Sequence, residues 1–248
     1  MRRKIVAVMA ALFIAGGLAV ALALLSTPTA AEAVVLVRAE ARRHGTAYPG
    51  PEPPHRFVAA LTATEDQRFY SPLDPGIDPF AVGRVILGWM TGRPDQGGST
   101  IAQQLAKMLY TPGRTGSMAE LEQMALAIKL NFAYPKAGIL SMYAEVAYFG
   151  SGHYGLRSAS CGYFDRQPAE LSWAQAAMLA GVVNAPTALD PRTHPRRAEE
   201  REAHVFARLV AVGALARGEA NAMLARPLGL VPVKRSAGAL SCTPRGRS

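Results

Sequence analysis

The sequence predicts a mainly α-helical protein with one transmembrane helix at its N-terminus. Three observations carry that prediction. Apolar residues recur at helical spacing through most of the chain, strand signals are nearly absent, and the first 25 residues hold a long apolar run behind a basic cluster. At 248 residues there is room for one good-sized domain with accessory segments.

Arg2, Arg3 and Lys4 precede an uninterrupted apolar stretch from Ile5 to Leu25. As a helix that stretch spans roughly 30 Å, the hydrocarbon thickness of a bilayer. The basic cluster ahead of it predicts a cytoplasmic N-terminus, with everything after Ser26 on the far side. Ala31-Glu32-Ala33 has the form of a signal-peptide cleavage site, but the apolar run exceeds a usual signal core. Residues 1–25 therefore read as an uncleaved anchor, and under either reading the remainder is exported.

Residues 26–53, rich in Pro, Ala and Gly, read as a stalk. The main domain is expected over 54–226. Phe57, Leu61 and Thr64 recur at i, i+4 and i+7 and lead into Glu65-Asp66. A loop follows at Pro72, Pro75 and Gly76, then a helical stretch over 79–90 that stops at Thr91-Gly92-Arg93-Pro94. Gly97-Gly98 opens the next helix, in which Thr100 and Gln103 have the spacing of a capping box. Further helices are expected over 118–134, 137–149, 171–179 and 201–215. Residues 227–248 mix Pro, Gly, Ser and Arg and read as a flexible basic tail.

The formal charge of +9 suits anionic headgroups or phosphates. An exported domain without an aromatic-studded basic motif does not point to nucleic acid. Cys161, in an expected buried helix, and Cys242, in the expected tail, are equally compatible with a disulfide and with two free thiols. The five histidines are scattered with no metal-ligand framework, so no metal site is expected. Gly150-Ser151-Gly152-His153-Tyr154-Gly155 fits a dinucleotide fingerprint by spacing alone, yet a helix rather than a strand precedes it.

Two clusters have chemical character. Glu65-Asp66 places paired carboxylates at the end of an apolar helix, where one can be tuned as a general base or both can be ordinary solvated charges. In Gly97-Gly98-Ser99-Thr100-Ile101-Ala102-Gln103-Gln104-Leu105-Ala106-Lys107, the glycines permit close backbone approach and a helix N-terminus follows. Thr100, Gln104 and Lys107 share one helix face, a device suited to a sugar pyrophosphate; the same residues could simply cap a helix with a polar outer face.

Taken in order, these segments resemble the peptidoglycan glycosyltransferases, which comprise monofunctional biosynthetic transglycosylases and the glycosyltransferase domains of class A penicillin-binding proteins. The resemblance rests on Phe57-Val58-x-Ala60 through Glu65-Asp66-x-x-Phe69, on the Gly97–Lys107 cluster, and on Lys136-x-x-Ile139-Leu140-x-x-Tyr143. It continues through Tyr148-Phe149-Gly150-x-Gly152-x-Tyr154-Gly155, Tyr163-Phe164, Glu170-Leu171-Ser172 and Ala176-Ala177-Met178-Leu179-Ala180-Gly181.

The resemblance implies a lysozyme-like helical domain with a small membrane-facing jaw, on the extracytoplasmic face of a bacterial cell membrane. It implies an inverting transfer that polymerises lipid II into β-1,4 glycan strands and releases undecaprenyl pyrophosphate. Glu65 would be the general base and Glu122 the second carboxylate. Asp66 and Phe69 would shape the pocket, and Gly98, Ser99, Thr100, Gln103, Gln104 and Lys107 would hold the sugar-pyrophosphate region, with Arg114 as an added cation. Implied partners are lipid II, the growing glycan strand, the cytoplasmic membrane and other cell-wall synthases; some members of the family use a divalent cation, Mg or Mn, near the pyrophosphate. With no transpeptidase domain following, the monofunctional type is expected.

The chain departs from the family pattern at three places. Ser71-Pro72-Leu73-Asp74-Pro75-Gly76 is about two residues longer than usual and lacks a His. Ungapped alignment puts Ala119, Glu120 and Gln123 on the positions of Arg-Lys-x-x-Glu, leaving Glu122 about 100° round a helix from the expected carboxylate. Tyr143-Ala144-Glu145 replaces Tyr-Leu-Asn. These departures keep open a non-catalytic lipid II-binding or scaffold protein. A lysozyme-like hydrolase also uses a cleft carboxylate but does not call for the Gly-Gly-Ser-Thr-Ile cluster.

Overall fold

A computed structural model describes residues 15–46, 48–78, 98–232 and 242. The expected helix over 79–90, Gly97, the first fourteen residues of the anchor and most of the tail lie outside them. The described elements are α1 (Ala15–Ser26), α2 (Ala33–Arg43), α3 (His55–Glu65), α4 (Ile101–Tyr110), α5 (Ser117–Ala133) and α6 (Lys136–Val146). They continue with α7 (Leu156–Phe164), α8 (Trp173–Val182), α9 (Pro195–Ala211) and α10 (Arg217–Leu224). Short 3-10 turns lie at Ala30–Glu32 and Pro168–Glu170. Among the described residues the only extended pairing is an isolated bridge between Tyr148 and Tyr154.

The centre of the domain is α8. Every residue from Ala174 to Val182 is buried, as expected of a helix that is apolar all round. Ser172 and Gln175 close its N-terminus in a reciprocal capping box. Against α8 pack α3 and α9, while α4, α5 and α6 form a second group. Phe57 and Leu61 of α3, Ile101 and Leu105 of α4, and Val205 and Phe206 of α9 enter one continuous core.

Glycine at 181 permits a close approach of α9. A Cβ there would lie 2.9 Å from Cγ of Arg201 and 3.3 Å from a methyl of Val205, both on α9. Gly76 serves the loop after α3 in the same way: its φ is 97°, and a Cβ would lie 2.4 Å from the carbonyl oxygen of Ala127.

The expected stalk is corrected. Ala33, Val37 and Ala41, spaced i, i+4 and i+8, are buried, and α2 packs on α6 and α4. The approach to α2 is also tied down. Lys129 donates to the carbonyls of Thr27 (2.7 Å) and Pro28 (3.0 Å), and the Tyr134 hydroxyl donates to that of Ala30 (3.0 Å).

Among the described residues no single helix is long and apolar enough to cross a membrane. Ala15–Ser26 and Ala30–Arg43 meet the requirement only as a pair bent by 47°. The second member of that pair belongs to the folded domain by its packing.

The tail is likewise not loose where it is described. Val231 donates its N–H to the carbonyl of Tyr163 at 2.8 Å, and Gln175 donates to that of Leu228 at 3.0 Å. Arg192 donates to the carbonyls of Gly162 (2.6 Å) and Val231 (3.2 Å). Cys242 is buried and bonded to Cys161 across 81 residues, and Gln167 donates to its carbonyl. The C-terminal segment thus straps α7 to α8.

A cross-link closing a loop of that length restricts the unfolded chain by roughly 4 kcal/mol on the chain-entropy account. Reduction, or Cys161→Ser, is expected to lower the thermal midpoint by about 10 °C in a melt followed by circular dichroism. An unchanged midpoint would mean that the strap carries no stability.

Candidate active site

Glu65 closes α3, and its side chain is only 5% exposed. An ionised carboxylate buried to that depth needs donors. Arg201 of α9 donates Nη2 to Oε1 at 2.6 Å. On the other oxygen, Gln104 of α4 donates Nε2 at 2.9 Å and Asn184, just beyond α8, donates Nδ2 at 3.3 Å. The buried Tyr143 hydroxyl of α6 donates to Oε1 of Gln104 at 2.8 Å. Three separate segments therefore converge on one carboxylate, and a fourth supports Gln104 from behind.

Arg208, two turns beyond Arg201, donates to the carbonyl of Ala63 (3.1 Å) and to Gln67 (2.6 Å), which fastens α9 along the end of α3. Exposed His204 lies between these arginines on the helix. Its pKa is held below the ordinary imidazole value by partial burial and by Arg201 and Arg208, against the opposing charge of Glu65.

The adjacent carboxylate has a different environment. Asp66 is 6% exposed and accepts the N–H of Ile101, the first residue of α4, at 3.0 Å. Burial pushes its pKa up from 3.8 to about 7; the bond to Ile101 and the charge of Lys136 oppose the shift, and Asp74 and Asp78 add to it. Asp74 organises the loop that is longer than the family pattern. It accepts from the N–H of Gly76 (2.8 Å) and from Lys136 (2.8 Å), and its carbonyl accepts from Asn131 (3.1 Å). Lys136 also lies over the ring of Phe69, 4.6 Å from its centroid.

Of the residues expected to hold substrate, Gln104 reaches Glu65 directly. Lys107, Gly98 and Ser99 are exposed. Two others are committed to the fold. The Thr100 hydroxyl donates to the carbonyl of Gly76 at 2.6 Å and accepts the N–H of Gln103 at 3.1 Å, and the Gln103 side chain accepts the N–H of Thr100 at 2.8 Å. With Thr100 2% exposed and its single proton used, it caps α4 rather than presenting a hydroxyl to a ligand. Phe69 is fully buried and can act only by supporting the wall.

Glu122 is engaged by Arg114 at 2.8 Å, and no contact joins it to Glu65. Its neighbour Gln123 is buried, with its amide donating to the Thr111 hydroxyl at 2.9 Å.

Arg201 and Asn184 as partners of Glu65, and Tyr143 as the partner of Gln104, are the residues that sequence reasoning missed. Tyr143 stood within a quoted motif, whereas Arg201 sits in a charged run that reads as a solvated helix face. Among the described residues, no group of three His, Cys, Asp or Glu side chains could hold a metal ion.

Residues 32–210 match the family model described as Transglycosylase. The chain belongs to the transglycosylase family. A Cupriavidus necator protein provisionally named a transglycosylase is 34% identical over 177 residues, which cover 71% of this chain and 76% of that protein. Penicillin-binding protein 1A of Aquifex aeolicus is 36% identical over 176 residues, and penicillin-binding protein 1F of Bacillus subtilis is 34% identical over 186. The transglycosylase chain spans 24% and 26% of those two longer proteins.

The Asp66 environment of this transglycosylase domain has a consequence for stability. The folded protein binds the Asp66 proton more tightly than the unfolded chain, where the ordinary value of 3.8 applies. The stability it contributes is complete below about pH 4 and is lost as pH rises through about 7. Asp66→Asn keeps an acceptor for the Ile101 N–H, so urea midpoints measured from pH 4 to 8 are expected to fall less steeply than in the wild type. Equal slopes would count against a buried, proton-retaining Asp66.

Proposed function

We propose that the protein is a peptidoglycan glycosyltransferase that polymerises lipid II on the extracytoplasmic face of the membrane. The observation that carries this reading is the buried Glu65 carboxylate, held by Arg201, Gln104 and Asn184 within the segment matched as a transglycosylase.

In the proposed step Glu65 takes the proton of the acceptor 4-hydroxyl, whose oxygen attacks the anomeric carbon of the donor. The bond from that carbon to the pyrophosphate breaks with inversion, and the electron pair leaves on undecaprenyl pyrophosphate. Arg201 and Gln104 keep the carboxylate directed while it accepts the proton. Exposed Lys107 is the cation assigned to the charge growing on the leaving pyrophosphate, with Arg114 as a second, drawn from its pairing with Glu122.

The reading extends to a lysozyme-like domain with a membrane-facing jaw. Exposed Leu73, Met118 and Phe132, with the +9 charge of the chain, support contact with a bilayer. Residues 1–25 are the proposed anchor, and the Cys161–Cys242 bond suits an oxidising, extracytoplasmic setting. Association with the growing strand and with other wall synthases belongs to the same proposal.

The test is incubation of purified, detergent-solubilised protein with labelled lipid II, followed by size separation of the products. The wild type is expected to make long glycan strands and Glu65→Gln none, because the near-isosteric amide cannot accept the proton. Activity surviving in a folded Glu65→Gln protein would remove Glu65 as the base. Deleting residues 1–25 is expected to leave turnover of detergent-dispersed lipid II and to weaken turnover of liposome-embedded lipid II. Equal activity on both would argue against anchoring by that segment.

A further inference from the structure

We propose that Tyr143 is a positioning residue for Glu65, acting through Gln104 to fix the direction in which the carboxylate is held. The inference rests on the reading of Glu65 as the base.

The contacts allow one arrangement of protons. An ionised carboxylate only accepts, so Gln104 must turn its NH2 toward Oε2 of Glu65, 2.9 Å away. That choice turns Oε1 of Gln104 toward Tyr143, where the 2.8 Å contact needs a proton from the hydroxyl. Tyr143 is 1% exposed, and burial together with the charge of Glu65 raises its pKa, so the hydroxyl remains a donor across the working range of pH. The chain Tyr143 O–H to Gln104 to Glu65 thus has a fixed direction and links α6, α4 and α3.

Losing only the hydroxyl leaves the Gln104 carbonyl without its donor in a partly buried place. Turning the amide over would set that carbonyl against the carboxylate, with no proton between two acceptors. Swinging it away would leave Oε2 with the longer 3.3 Å bond from exposed Asn184. In each case Glu65 loses a donor that favours its ionised form and restrains its rotation.

Tyr143→Phe keeps the ring in the core and removes the proton alone. Its polymerisation kcat is expected to fall roughly tenfold near neutral pH with KM for lipid II unchanged, and the acid limb of its pH–rate profile is expected to move to higher pH. In a Gln104→Leu background the same substitution should add little. 3-Fluorotyrosine at position 143 keeps ring and hydroxyl but donates more strongly, and is expected to move the acid limb the opposite way; it decides the matter should Tyr143→Phe fail to fold.

A wild-type pH profile and kcat in Tyr143→Phe, or a loss confined to KM, would overturn the proposal. So would an undiminished effect in the Gln104→Leu background. The Gln104 side-chain amide signal in 1H–15N spectra, assigned with Gln104→Leu, gives a readout independent of turnover. It should move in Tyr143→Phe, and an unchanged signal would sink the Tyr143 role. Absence of polymer from the wild type would instead remove the functional reading while this signal still decided the contact.

Discussion

A charge taken out of water has to be met by partners, and at Glu65 this fold meets that demand with three donors. Its side chain is 5% exposed, and its donors come from 39, 119 and 136 residues farther along the chain. Breaking such a pair by removing one partner costs far more than the pair itself contributes. The packing of α3, α4, α8 and α9 is consequently coupled to the site. Helix α8 is buried on all sides, α3 and α9 lie on it, and Gly181 lets α9 approach until Arg201 reaches the carboxylate.

The neighbouring carboxylates divide their roles by environment. Glu65 faces a guanidinium and two amides, whereas Asp66 turns the other way, to the first N–H of α4, with Asp74 and Lys136 beyond. A helix N-terminus favours a carboxylate, but here burial outweighs it and raises the Asp66 pKa to about 7. Asp66 thereby joins α3 to α4 through a bond that Thr100 reinforces from the Gly76 side. The segment that departs from the family pattern is not slack, because Asp74 fastens it to Lys136 and Asn131.

Much of the helical order was legible because its causes are local. The Thr100–Gln103 capping box spans four residues and formed as expected. The apolar repeats gave α3, α5 and α6 to within a few residues, though α6 ends at Val146 because the chain then turns to pair Tyr148 with Tyr154. The segment of α2 reads as a stalk because of its Pro- and Gly-containing surroundings, although Ala33, Val37 and Ala41 carry the helical spacing. α10 was also missed, its sequence being too polar to show a stripe.

Sequence alone determined the succession of helices, the capping of α4, the presence of a carboxylate pair at the end of α3 and the family likeness of the ordered motifs. These follow from backbone hydrogen bonds and side-chain periodicities that reach no more than a few residues. Only the tertiary structure decided that Arg201 and Asn184 answer Glu65, that Tyr143 stands behind Gln104, that Glu122 is taken by Arg114, and that Cys161 meets Cys242. A charged run such as Pro195–Ala211 reads equally well as a solvated face or as the wall of a site. The choice is made when burying the apolar side of the helix against α8 turns Arg201 toward the Glu65 carboxylate.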